Sequence, residues 1–143
     1  MQAEDVLEFW FGPHGGPVGA ATRWWEKDPA FDALLLERFR DLHREIAHGK
    51  HEGWRAQARS CLAYVVVIDQ LSRNMFRNTK EAFAFDTLAQ SATLAGIHAG
   101  FDRELDAVQR RFFYMPLVHA EDRQLQDQAI IAFATLAEAI PEV

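Results

Sequence analysis

Asp69, Gln70, Arg73, Asn74 and Arg77 directly extend the most hydrophobic run of the chain, Tyr64-Val65-Val66-Val67-Ile68. On a continuing helix Asp69, Arg73 and Arg77 step by four and share one face, so Asp69 can pair with Arg73. Next to so apolar a run these groups are expected to be partly buried, and buried charges are costly unless paired. Two readings follow. One is a structural ion-pair and turn network; the other is a site for an anion or carboxylate made by the two guanidinium groups and oriented by Asp69 and Asn74. A second group, His119, Glu121 and Asp122, stands beside Tyr114 and Pro116 at the start of a helix. A histidine among carboxylates is suited to general-base or metal-ligand work. The spacing matches no zinc-binding helix, however, and His119 reads first as a capping or packing residue; no metal and no cofactor are expected.

Other reactive side chains carry less. His43, His48 and His51 gather around Gly49, but no two lie four apart, which reads as a solvated helix end. Cys61 sits among apolar neighbours without an activating base nearby in sequence. Trp10 and the Trp24-Trp25 pair would line a ligand groove in one reading and fill the core in the more usual one. Glycine-rich phosphate loops and nucleophile elbows are absent.

The elements that must position these groups read as helices. Val6, Leu7, Trp10 and Phe11 mark a short helix, broken by Gly12, Pro13, Gly15, Gly16 and Pro17. Asp28-Pro29 begins another with Phe31, Leu34, Leu35, Phe39, Leu42 and Ile46 on one stripe, and Gly49 ends it. The run at 64–68 has strand character by its β-branched residues, but no second such run exists to pair with, so a central helix is expected, ending in a turn near Ser72 to Asn78. Thr79 is expected to cap a helix through Phe85, Leu88, Ala92 and Ala95, and Asp102 a shorter one through Leu105, Val108 and Phe112 that Pro116 interrupts. A last helix starts near Glu121 and turns Leu125, Ala129, Phe133, Leu136 and Ile140 inward. The expected architecture is all-α, one domain over residues 1–143, an antiparallel array of about six helices.

Composition narrows the setting. With 49% hydrophobic residues among 143 the chain can bury a substantial core. A formal charge of −6, with basic residues scattered, argues against nucleic acid as a partner. A single cysteine allows no intrachain disulfide, no basic start leads into an apolar stretch, and no apolar run approaches the ~20 residues of a membrane span. A cytoplasmic protein, away from membranes, is the expectation.

Ile68-Asp69-Gln70-Leu71-Ser72-Arg73-Asn74-Met75-Phe76-Arg77 and Phe113-Tyr114-Met115-Pro116-Leu117-Val118-His119-Ala120-Glu121-Asp122 resemble the domain-of-unknown-function 924 family. Val6 to Gly12, the Trp24-Trp25 pair with Phe31-Asp32, and Ala82-Phe83-Ala84-Phe85-Asp86 fit it as well. The resemblance implies a helical fold similar to tetratricopeptide-repeat proteins and no established activity. Where that family usually has Phe-Pro this chain has Leu71-Ser72, which should loosen the turn after Gln70. Ala120 replaces a serine, removing an expected N-cap from the last helix. The sequence ends at Val143, before a C-terminal segment bearing Arg, His and Asn that such proteins usually carry, so a site completed by that segment would be incomplete here.

Three functional readings remain. The leading one is a helical binding module whose pocket, drawn from Asp69, Gln70, Arg73, Asn74, Arg77, His119, Glu121 and Asp122, takes a peptide or small anionic ligand. The alternative is a small hydrolase-like acid/base enzyme using Asp69, His119 and Glu121; the third makes both polar motifs interior glue. The two motifs are expected to meet in space. A homodimer is expected through the last helix, whose Phe133, Leu136 and Ile140 would lack the cover that a longer chain supplies.

Overall fold

The computed structural model describes residues 1–12 and 27–139, and every regular element among them is helical. Trp24, Trp25, the breaker residues 13–17 and Ile140 lie outside the described residues. Helix α1 spans Ala3–Phe11 and α2 spans Pro29–Ala47. Helix α3 covers Ala58–Val65, a π-helical stretch Val66–Leu71, and Ser72–Met75 without a break. Helices α4, Asp86–His98, α5, Ala107–His119, and α6, Arg123–Ala139, complete the set.

Local chemistry sets most of the boundaries. Asp28 accepts from the amides of Ala30 and Phe31 at 3.0 and 3.3 Å ahead of Pro29, and α2 closes before Gly49 at φ 90°. Two starts differ from expectation. Thr79 donates its hydroxyl to the Phe76 carbonyl at 2.7 Å, a short 3-10 turn Lys80–Ala82 follows, and α4 begins only at Asp86. Asp102 is buried and accepts the Tyr114 hydroxyl; the cap of α5 is Asp106, in a reciprocal box with Gln109. Pro116 lies inside α5 without interrupting it. A proline there cannot bond the carbonyl four residues back, and the neighbouring Phe113 carbonyl is engaged across the helix pair by the Thr93 hydroxyl at 2.8 Å. Asp122 caps α6 by accepting from the Leu125 amide at 3.1 Å, so the cap expected to be lost at Ala120 is supplied two residues later.

Helix α3 runs through the core, with residues 62–68 fully buried and α1, α2, α4 and α5 packed around it. No strand edge accompanies Tyr64 to Ile68, because a helix satisfies its own backbone groups inside an apolar shell. Leu71 and Ser72 sit within this helix, so the turn expected after Gln70 does not exist; the Ser72 hydroxyl meets His43 Nε2 at 2.5 Å instead. On α6, Leu136 is buried and Phe133 lies edge-on to Tyr114 at 5.6 Å, so these two of the residues named for self-association face the chain's own core. Among the described residues Ile130 and Ile131 are its large exposed apolar side chains. No helix among the described residues is long and apolar enough to cross a membrane.

The α4–α5 contact depends on Gly96, where a Cβ would come within 2.4 Å of the fully buried Phe113 ring and 3.4 Å of Phe101. Gly96→Ala gains about 1 kcal/mol of helix propensity. Overpacking against a ring with no room to retreat costs about 1–3 kcal/mol. A net destabilisation of roughly 1 kcal/mol is expected in urea unfolding, and a stabilised variant would show that the ring yields.

Candidate functional site

Asp69 lies in the π-helical stretch of α3 and is fully buried. Such stretches interrupt the regular helical register and occur often at functional sites. Its Oδ1 accepts from an Arg73 terminal nitrogen at 3.1 Å and from His119 Nδ1 at 3.0 Å; its Oδ2 has no hydrogen-bond partner among the described residues. The two sequence motifs therefore meet, fifty residues apart, on one carboxylate oxygen. Arg73 also grips Asp86 at the start of α4 through two nitrogens, each at 2.9 Å, and stacks over the Phe83 ring at 5.3 Å. The result is a chain of charge, His119–Asp69–Arg73–Asp86, linking α5, α3 and α4.

Arg77 and Asn74 belong elsewhere. Helix α3 ends at Met75, so Arg77 does not continue the face of Asp69 and Arg73. Its Nε donates to Asp32 of α2 at 2.9 Å, and Asn74 donates to the same carboxylate at 3.2 Å. That hydrogen bond raises the pKa of Arg77 above its ordinary value. Gln70 is buried in the same stretch as Asp69. The two arginines thus form no common anion site: each already has its carboxylate.

Beside the charge chain opens a cleft of about 880 Å³. Arg73 and Phe83 line one side, Asp86, Thr87 and Gln90 of α4 another, and His119, Glu121, Asp122 and Leu125 the α5–α6 turn. His119 is about one quarter exposed, and its Nε2 takes no hydrogen bond among the described residues. In the neutral form with the proton on Nδ1, shared with Asp69, Nε2 is an acceptor. Among the described residues the surroundings hold four carboxylates, Asp69, Asp86, Glu121 and Asp122, against one guanidinium. The amino ends of α4 and α6 add roughly half a positive charge each, but Asp86 and Asp122 already sit on them. Among the described residues no three His, Cys, Asp or Glu side chains converge as a metal site.

The model of a family described as bacterial protein of unknown function, DUF924, matches residues 6–143. The chain belongs to the DUF924 family. Among solved structures, the DUF924 chain is similar to a protein of unknown function from Agrobacterium tumefaciens, at 35% identity and a TM-score of 0.82, over 95% of this chain and 78% of that one. No curated protein matches it.

In this DUF924 chain, Asp32, Phe83 and Asp86 complete the network, and reasoning on the two motifs alone missed them. The signal was faint but present: Phe31-Asp32 and Ala82 to Asp86 carry part of the family resemblance. Of the other candidates, Trp10 is core, and Cys61 is buried, with burial pushing its thiol up to about 11. His43 is buried against Phe76 and Phe85, so the supposed solvated cluster around Gly49 loses its first member. His48 is exposed, and His51 meets Glu45 at 2.9 Å.

Proposed function

We propose that this DUF924 chain is a helical binding module whose cleft beside His119 takes a small molecule or peptide group rich in hydrogen-bond donors, a protonated amine above all. The carrying observation is that both motif arginines are held by carboxylates, while acceptors line the cleft: Nε2 of His119 and the carboxylates of Glu121 and Asp122. An anion there would meet more negative than positive charge. An ammonium group would be attracted by the carboxylates. A cytoplasmic setting is compatible with the single, buried cysteine.

Thermal-shift titration tests the ligand class, because a compound that binds only the folded chain raises its melting temperature as concentration rises. Putrescine and spermidine should stabilise the protein, and acetate and phosphate should gain nothing from this cleft, so that His119→Gln leaves any effect of theirs unchanged. Glu121→Gln, at an exposed position, and His119→Gln should each weaken amine binding by about tenfold, the loss of one charge-assisted contact. Anion stabilisation that His119→Gln removes, or equal amine binding by both variants, would reject this assignment.

The 3.0 Å contact between Asp69 and His119 favours a second reading, acid–base catalysis. There His119 would act as base, Asp69 would position its ring, and Glu121 would be the second titrating group. Hydrolysis of p-nitrophenyl acetate that His119→Gln abolishes, with a pH profile following the imidazole, would raise this reading above simple binding.

A further inference from the structure

A second pocket, of about 280 Å³, lies at the edge of α2, lined by His43, whose Nε2 meets the Ser72 hydroxyl. Its floor is apolar: Phe76 and Phe85 stand edge-on to the His43 ring at 5.2 and 5.7 Å. Burial holds that imidazole uncharged at neutral pH, so the floor carries no charge of its own. Along its rim Arg40 and Arg44 of α2, and His48 just after its end, recur at steps of four. Like charges at that spacing repel, which makes the row mildly unfavourable for the free helix.

Neither guanidinium is committed elsewhere. Arg40 has no ion pair among the described residues, and Arg44 reaches Asp41 only at 3.9 Å, with both of those side chains largely exposed. One carboxylate, Glu81, lines the far side. The contrast with Arg73 and Arg77 is chemical: those are spent on carboxylates that are buried or half-buried, whereas among the described residues these two are free to receive an anion.

We infer that this pocket is a separate site for a small organic acid, its carboxylate received by Arg40 and Arg44 and its apolar body laid against Phe76 and Phe85. Two guanidinium groups over an aromatic floor match an anionic head on a hydrophobic body. The volume lies at the small end of ligand pockets, which sets the ligand at the size of a single ring or short chain. The site is independent of the His119 cleft, so one can fail without the other.

Benzoate, benzamide and benzylamine, titrated into the ¹⁵N-labelled chain and followed by amide shifts, separate the terms. Benzoate should bind saturably, moving the amides of Ala84 and Phe85, and should weaken as salt is raised. Replacing Arg40 and Arg44 together by glutamine, both exposed and outside the core, should weaken benzoate by about tenfold or more. Ala84→Trp, also at an exposed position, should fill the pocket and remove binding while the rest of the spectrum stays folded. Benzamide binding as tightly as benzoate, benzoate binding unchanged in the arginine variant, or no benzoate binding at millimolar concentration would each overturn the assignment.

Discussion

Asp69→Ala is expected to lower the unfolding free energy by about 3 kcal/mol, the low end of the range for removing one partner of a buried ion pair. Asp69 is fully buried and serves Arg73 and His119 on one oxygen. Arg73 keeps its paired contacts to Asp86, which holds the loss at that low end. In a domain of this size the loss corresponds to a fall in melting temperature of roughly 10 °C. The Arg59–Glu4 pair provides the contrast: it has better-formed hydrogen bonds but lies largely in solvent, so Glu4→Gln should cost under about 1 kcal/mol. Urea unfolding of the two variants compares them directly. Near-equal losses would mean that burial of Asp69 adds nothing.

Acidification is expected to destabilise the fold through His43. Burial lowers its pKa from 6.5 to about 4, with its Nε2 against the Ser72 hydroxyl. The unfolded chain therefore takes up the proton first. The contribution is complete above about pH 6.5 and is lost as pH falls toward 4. Between pH 7 and 4.5 the folded state should lose about 2–3 kcal/mol from this group. Carboxylates titrate over part of the same interval, so the measured quantity is a difference: His43→Leu should lose correspondingly less stability than the natural chain. Identical pH dependence in the two proteins would place the acid sensitivity elsewhere.

The helices were legible because most of the apolar spacing falls on buried faces, Leu34 of α2 and Ala95 of α4 being exposed exceptions, and because Asp28-Pro29 and Gly49 mark the bounds of α2 in their own chemistry. Thr79 and Asp102 misled for a common reason. A side chain able to cap is not obliged to do so, and short 3-10 turns at Lys80–Ala82 and Phe101–Glu104 moved both helix starts downstream. Pro116 looked like a break, yet the Thr93 hydroxyl on the adjacent Phe113 carbonyl comes from a helix twenty residues away. His43 was legible in principle: it falls four residues after Phe39 and three before Ile46, on the buried stripe, and the neighbouring histidines obscured that.

At the site, the pairing of Asp69 with Arg73 follows from helical spacing, and the meeting with His119 follows from the need of buried charge for partners. Asp86 and Asp32 lay beyond that logic, since no local rule connects a carboxylate to an arginine thirteen or forty-five residues away. Those two carboxylates are the basis for proposing an amine in place of the anion expected from sequence. Read from sequence the arginines are free cations; in the fold they are already neutralised.

The most direct test is the ring ¹⁵N spectrum of His119, recorded as putrescine is added. The predicted spectrum has a protonated Nδ1, held by Asp69, and an acceptor-type Nε2 whose resonance moves saturably with the amine. A proton on Nε2 in the neutral ring, or an Nε2 resonance that stays fixed while the amine binds, would contradict the assignment of His119 to the binding cleft.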